Sequence, residues 1–155
     1  MQNVKLRILI LGATGMLGNA VLRYFSLQPD FDVFGTVRSA KSQQWFSPEI
    51  KDRLIGGVDV ENFDSLTSVF GDVQPDVVIN CIGLVKQLDT VNDPLVSLPI
   101  NSLLPHRLAR LCKVSKARFI HMSTDCVFSG NKGMYRESDS SDAKDLYGKS
   151  KFLGE

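Results

Sequence analysis

LRILILGATGMLG, residues 6–18, is the stretch whose reading decides the fold. LRILILG (6–12) is β-rich and apolar, as a strand buried on both faces of a parallel sheet should be. From Met16 the spacing turns helical, with Leu17, Ala20, Val21, Tyr24 and Phe25 recurring along MLGNAVLRYFSLQ (16–28). Between the two, GATGMLG places glycines at 12, 15 and 18. Such a strand–turn–helix turns backbone amides and a helix N-terminus toward an anion such as a pyrophosphate. Gly12 permits the tight turn, Gly15 lets phosphates approach the backbone, and Gly18 allows close helix–strand packing. Thr14, Met16 and Leu17 complete the turn. The spacing is G-x-x-G-x-x-G rather than G-x-G-x-x-G, and glycines near a strand end also serve as turn punctuation. The strand before and the helix after are what point to a dinucleotide.

The alternation continues along the chain. DVFGTVR (32–38) reads as a second strand, SAKSQQWF (39–46) as a short helix and RLIGGVDV (53–60) as a third short strand running into a glycine loop. ENFDSLTSVF (61–70) follows as a helix, DVVINCIG (76–83) as a fourth strand, DPLVSLPINSLLPHRLARLCK (93–113) as a long helical segment and ARFIHMS (117–123) as a fifth strand. Strands and helices alternating on this scale imply a doubly wound parallel α/β sheet with right-handed crossovers. Pro105 predicts a kink, because its ring clashes with the carbonyl four residues back, that of Asn101. The freed carbonyl either marks the kink alone or holds a water on a proton path. Pro99 adds a second interruption without an assigned role. From Ser129 to about Lys144 the chain is polar and glycine-containing. A loop of that length is more often functional than idle, and it delivers the chain to YGKSK (147–151).

The totals narrow the partners. A chain of 155 residues fits one domain and buries roughly two thirds of its unfolded surface. With 18 Lys+Arg against 17 Asp+Glu, the net charge of +1 gives no footprint for a nucleic-acid backbone or an anionic membrane. Cys81, Cys112 and Cys126 are odd in number and lack metal-ligand spacing, as do His106 and His121, read as helix-surface and strand-end residues. There is neither a charged-then-apolar leader nor an apolar run of membrane-spanning length, so the expected setting is soluble, reduced and cytoplasmic.

Which dinucleotide is a question about the end of the second strand. A reader of the 2′-hydroxyl would place Asp or Glu there. The sequence places Thr36-Val37-Arg38-Ser39 instead, with Asp32 at the opposite end. Arg38 suits a 2′-phosphate through its planar fork, which favours NADP(H) over NAD(H). A solvated surface arginine is the alternative.

GATGMLG, NCIG (80–83), STDCVFSG (123–130) and YGKSKFLGE (147–155) occur in this order. Together they resemble the extended short-chain dehydrogenase/reductases, and among these the dTDP-4-dehydrorhamnose reductases and related nucleotide-sugar reductases. The resemblance runs from Lys5 to Glu155. It implies a Rossmann fold with Thr124, Tyr147 and Lys151 as the catalytic trio, and reduction of a 4-keto-6-deoxy nucleotide-sugar for surface polysaccharide. Reducing a ketone needs a hydride on carbon and a proton on the developing alkoxide. A cation one helical turn away favours the phenolate of Tyr147 and so suits it as donor. In the family the counterpart of Lys151 also bonds the nicotinamide ribose, and Thr124 can donate to the substrate oxygen.

The same resemblance implies that Asn80, Cys81, Ile82 and Gly83, ending the fourth strand, lie beside the cofactor riboses and that Asp59 and Val60 flank the adenine; capping the next helix is the other reading of Asp59. Cys126 stands where related dehydratases carry Glu, epimerase–reductases carry Cys and rhamnose-type reductases usually carry Tyr. It is read as a core or pocket-lining residue, with an acid/base role in epimerisation left open. Family members continue well past the Tyr-Lys helix. The 155 residues are therefore expected to be the NADP-binding Rossmann domain of a longer enzyme, truncated before the substrate region and binding cofactor with little turnover. A redox-sensing module on the same fold is the other class. Relatives often pair through helices beside the active site, which leaves a homodimer open.

Overall fold

The computed structural model describes residues 4–155, which divide into two compact units. One comprises the chain up to Ile82 with Leu108–His121, the other Gly83–Arg107 with Met122–Glu155. The first holds a five-stranded sheet: β1 (Leu6–Leu11), β2 (Phe31–Val37), β3 (Leu54–Gly56), β4 (Val77–Asn80) and β5 (Arg118–His121). All neighbouring pairs are parallel, in the order β3-β2-β1-β4-β5. The order runs outward from β1 to β3, then restarts on the other side with β4. This is the doubly wound plan, with its switch point between β1 and β4 at the carboxyl ends where such sheets take ligands. Leu11 pairs with Asn80, and the Cys81 N–H continues the ladder to the Leu11 carbonyl at 3.1 Å.

Ile8, Leu9, Ile10 and Leu11 are all 3% exposed or less. That is the burial expected of a central strand covered on both faces. β2 carries Gly35, where a Cβ would come within 2.9 Å of Leu54 and 3.3 Å of Leu22. The bare position admits α1 (Met16–Ser26) close to the sheet.

That docking selects the covered face of α1. Leu17, Ala20 and Tyr24 are exposed, while Gly18 and Leu22 are the buried pair. The reason is steric: a Cβ on Gly18 would overlap the Gly12 carbonyl, so the helix seats on its bare Gly18 side and the residue one turn on, Leu22, follows it in.

The segment predicted as one short helix over 39–46 is a 3₁₀ turn over Ala40–Trp45, followed by a one-turn helix α2 (Pro48–Lys51). β3 stops at Gly56 because Gly57 turns the chain at φ +78; the Val58 N–H then rejoins the end of β2 through the Val37 carbonyl at 3.2 Å. Helix α3 spans Phe63–Val73 rather than 61–70. Its cap is Asn62, whose side chain accepts the Asp64 and Ser65 amides at 2.9 and 3.3 Å, so Asp59 is not the cap.

In the second unit, α4 (Pro94–Ser97) passes into a π-helical stretch over Leu98–Leu103 and then into α5 (Leu104–Ser115), whose residues from Leu108 onward belong to the first unit. Pro105 has no N–H to give the Asn101 carbonyl. The chain absorbs this by widening, with the Leu104 N–H reaching back five residues to Pro99. The freed Asn101 carbonyl is met by Gly154, where a Cβ would overlap it. Backbone packing occupies that flank, which supports the purely structural of the two readings. α6 (Leu146–Phe152) completes the unit. Among the described residues no helix is long and apolar enough to cross a membrane.

Two glycine substitutions separate backbone approach from plain helix propensity. Gly18→Ala, with its Cβ on a carbonyl, should cost about 3 kcal/mol or more in urea unfolding. Gly71→Ala, in open space on α3, should stabilise by about 0.5–1 kcal/mol. Equal effects would contradict the steric account.

Candidate active site

The glycine turn belongs to the first unit. Gly12 has φ +86, and a Cβ there would lie 2.8 Å from Ile82 Cγ1. Both the conformation and the approach require glycine. Gly15 differs. Its backbone is extended, its N–H bonds the Gly12 carbonyl at 3.0 Å, and a Cβ would meet only that same carbonyl, at 3.4 Å. Among the described residues nothing else crowds that side. α1 has no side-chain cap bond at Gly15 and no acidic residue in its first turn, whereas α3 has Asn62 and Asp64 in those positions. Amides left uncapped by the chain fit an anion such as a pyrophosphate. Thr14, Met16 and Leu17 are exposed around this turn.

Thr36 locks the turn to β2. It is 2% exposed, and it accepts the Gly12 N–H on Oγ1 at 3.3 Å and the Ala13 N–H on its carbonyl at 3.0 Å. Arg38 lies two residues beyond, exposed. Asp32, at the far end of β2, is paired with Arg53 at 2.6 Å. Asp59 is exposed and folds its carboxylate onto the Glu61 N–H at 3.0 Å, with Val60 half-buried beside it. Cys81 is half-buried, and burial pushes its thiol up to about 11. Asn80, fully buried, takes the Ile82 N–H on Oδ1 at 3.1 Å and bonds His121 Nδ1 at 3.1 Å. Asn80 belongs to the NCIG end of the fourth strand that the sequence already singles out; the bracing role of Thr36 carries no periodic signal there, being that of a buried polar group at a strand end.

The second unit gathers the residues predicted to carry chemistry. Asp145 caps α6, its Oδ1 accepting the Gly148 N–H at 2.8 Å. Tyr147 and Lys151 follow one turn apart. Lys151 is 4% exposed and donates from Nζ to the Met122 carbonyl at 2.8 Å. Removal from water lowers its pKa below the ordinary lysine value, an effect the Glu155 carboxylate partly opposes.

The other letters of YGKSK each have a packing reason. A Cβ on Gly148 would overlap the Cys126 carbonyl and come within 2.8 Å of Ala143 Cβ. Ser150, fully buried, donates to the Tyr147 carbonyl at 2.8 Å and accepts from Asn101 Nδ2 at 3.1 Å. The close approach of Gly148 to Cys126 brings the Thr124 segment against the turn that carries Tyr147. Thr124 Oγ1 accepts the Cys126 N–H at 3.2 Å. Gly83 joins them, since a Cβ there would stand 3.6 Å from Lys151 Nζ and 3.5 Å from Asn101 Oδ1.

Cys126 is half-buried and lines a cavity of about 700 Å³ with Lys86, Phe128, Tyr135 and Lys144. The loop leading to α6 walls it and is braced internally. Ser129 bonds Asp142 through N–H and hydroxyl at 2.6 and 2.5 Å, Lys132 pairs with Asp139 at 2.5 Å, and the Phe128 and Tyr135 rings stack at 4.3 Å.

Fold and turn thus define a Rossmann-type dinucleotide-fold protein with a Tyr-x-x-x-Lys helix. The family model described as the RmlD substrate binding domain matches residues 6–155, and the chain belongs to that family. It is 31% identical over 147 residues to the probable low-salt glycan biosynthesis reductase Agl14 of Haloferax volcanii, covering 94% of this chain and 46% of the relative. It is 31% identical over 150 residues to methionine adenosyltransferase 2 subunit beta of Danio rerio, covering 96% and 42%. The crystal structure of a hypothetical dTDP-4-dehydrorhamnose reductase from Sulfolobus tokodaii superposes with a TM-score of 0.78 at 29% identity, over 96% of this chain and 50% of the other. The chain spans less than half the length of the curated relatives it matches here.

The buried ammonium has a pH signature. With its folded-state pKa depressed, Lys151 is protonated more readily unfolded than folded, so the unfolded state binds more protons just below the ordinary lysine value. Stability therefore rises with pH in that window. The stability of the wild type relative to Lys151→Met should climb as the pH rises toward the ordinary lysine value of about 10.4 in denaturant titrations. A difference that stays flat or falls would contradict the desolvation.

Proposed function

We propose that this chain is the cofactor-binding part of an NADP(H)-dependent reductase acting on a 4-keto-6-deoxy nucleotide-sugar, in the manner of dTDP-4-dehydrorhamnose reductases. The observation that carries the reading is the burial of Lys151 one turn from Tyr147, with the Thr124 segment pressed against the same turn through Gly148. Burying an ammonium costs stability, and Lys151 spends that cost at the foot of a tyrosine on a half-exposed helix. Desolvation beside a specific partner is the arrangement expected of a functional lysine.

The pyrophosphate would rest on the glycine turn between Gly12 and Leu17, at the amides that open α1, and Arg38 would hold the 2′-phosphate that separates NADP(H) from NAD(H). Asp59, Val60, Cys81, Ile82 and Gly83 would line the adenine and ribose path. The nicotinamide, when bound, supplies the hydride. The protein supplies the proton and the orientation. Thr124 and Tyr147 hydrogen-bond the carbonyl oxygen, Tyr147 gives its proton to the developing alkoxide, and the Lys151 charge stabilises the phenolate left behind. Cys126 fits a wall of the sugar cavity; a place in the acid/base chemistry of an epimerase is the alternative for it.

A second reading is a dinucleotide-binding module without turnover. It draws on the zebrafish relative, whose name is that of a subunit of another enzyme. Such a module has no need of Thr124, Tyr147 and Lys151 together, which favours the reductase. Because the curated relatives are more than twice as long as the matched region, the 155 residues are expected to bind cofactor with little turnover.

Calorimetric titration with NADPH and NADH tests this. The chain should prefer NADPH, and Arg38→Ala should cut that preference about tenfold or more, a charged hydrogen bond being worth about 1.5–3 kcal/mol. An unchanged preference removes the basis for NADP(H). Rapid NADPH oxidation with the 4-keto sugar nucleotide by the 155-residue chain would contradict the binding-only part.

A further inference from the structure

Lys86 plays no part in the scheme above, yet it stands at its edge. It follows β4 by six residues, in the segment whose Leu84 backbone is bonded to Asn101, and its Nζ lies 2.7 Å from Asp145 Oδ2. The other oxygen of the same carboxylate caps α6 through the Gly148 N–H at 2.8 Å. One carboxylate thus joins Lys86 to the turn that begins with Tyr147. Each side lowers the energy of the other's charged form: Asp145 raises the Lys86 pKa above the ordinary lysine value, and Lys86 lowers that of Asp145. Lys86 also borders the cavity lined by Cys126.

As a source of stability the pair is weak. Its side chains are 56% and 42% exposed, and exposed pairs contribute little. Its value is positional. Asn101 holds the far turn of α6 through Ser150, and it holds the Lys86 segment through Leu84. Without a second tether, the turn that carries Tyr147 would be fixed against that segment at one point only.

We propose that Lys86 is a positioning residue for Tyr147: by clamping Asp145 it sets the first turn of α6, and it keeps an ammonium at the rim of the cavity that Cys126 lines. The proposal rests on Tyr147 being the proton donor. The tether itself is measurable without any turnover.

Three single variants test it in the 155-residue chain, together with the double of Lys86→Met and Asp145→Asn: Lys86→Met, Lys86→Arg and Asp145→Asn. Asparagine caps a helix as well as aspartate does, so the last removes the ion pair and keeps the cap. Two signals are read, amide exchange at Gly148 and Lys149 and the ring-carbon resonance of Tyr147 in tyrosine-labelled protein, assigned with Tyr147→Phe among the three tyrosines. Lys86→Met and Asp145→Asn should each speed exchange about two- to fivefold and shift the Tyr147 resonance. The double variant should do no more than either alone, and Lys86→Arg should stay close to wild type. An unmoved Tyr147 resonance in Lys86→Met, additive effects in the double variant, or an Arg variant that behaves like Met would overturn the role. Failure here leaves the reductase reading standing, and failure of the cofactor titration leaves these signals untouched.

Discussion

The side chain of Asn101 is 1% exposed and uses both of its polar ends. Oδ1 accepts the Leu84 N–H at 2.9 Å; Nδ2 donates to the Leu84 carbonyl at 3.2 Å and to Ser150 Oγ at 3.1 Å. Through these bonds one residue of a widened helix fixes both the segment that leaves β4 and the helix that carries Tyr147 and Lys151. Its carbonyl, released by Pro105, does a second job by receiving the bare face of Gly154. Polar groups buried this deeply are costly to leave unpaired and strong when fully satisfied. The candidate site inherits its geometry from them.

This explains how a short helix can hold Tyr147 and Lys151 in place. α6 has only seven residues, too few to be stable alone. It is held at its start by Asp145, at Gly148 by contact with the Cys126 carbonyl, at Ser150 by Asn101 and Ser102, and beyond its end by the bond from His106 to the Leu153 carbonyl at 2.7 Å. Lys151 sits within this frame with its ammonium already committed to Met122. Preorganisation of that kind is what a proton-transfer site needs.

The sheet was legible in the sequence because a strand buried on both faces has to be apolar and short, and each run was followed by glycine or a helical spacing. The roles read from Gly12 and Gly18 match the backbone, since the positive φ of one and the carbonyl contact of the other leave no room for a side chain. The buried face of α1 was not legible. Spacing alone favours the large apolar residues Leu17 and Tyr24, whereas the contact is set by the smallest residue, which weighs nothing in a hydrophobic pattern. The π-helical stretch was half legible: Pro105 announces an interruption, but widening and kinking satisfy the same missing N–H. Tyr147, Lys151 and Thr124 could be singled out by chemical type and order. Asn101, Ser150 and Thr36 could not, because a buried amide or hydroxyl is distinguished only by partners far away in the chain, and Lys86 and Asp145 are 59 residues apart.

The most direct test removes the amide and keeps the volume. In Asn101→Leu, the Leu84 N–H and carbonyl lose their partner, each abandoned buried group costing about 1–3 kcal/mol, and the Ser150 hydroxyl loses the bond it accepts while keeping the one it donates to the Tyr147 carbonyl. Urea unfolding should show a loss of about 3 kcal/mol or more, and hydrogen exchange should rise selectively at Leu84 and through α6, leaving β1 and β4 protected. A loss under about 1 kcal/mol, or an increase spread evenly over the sheet, would mean that the candidate site is held by something other than Asn101.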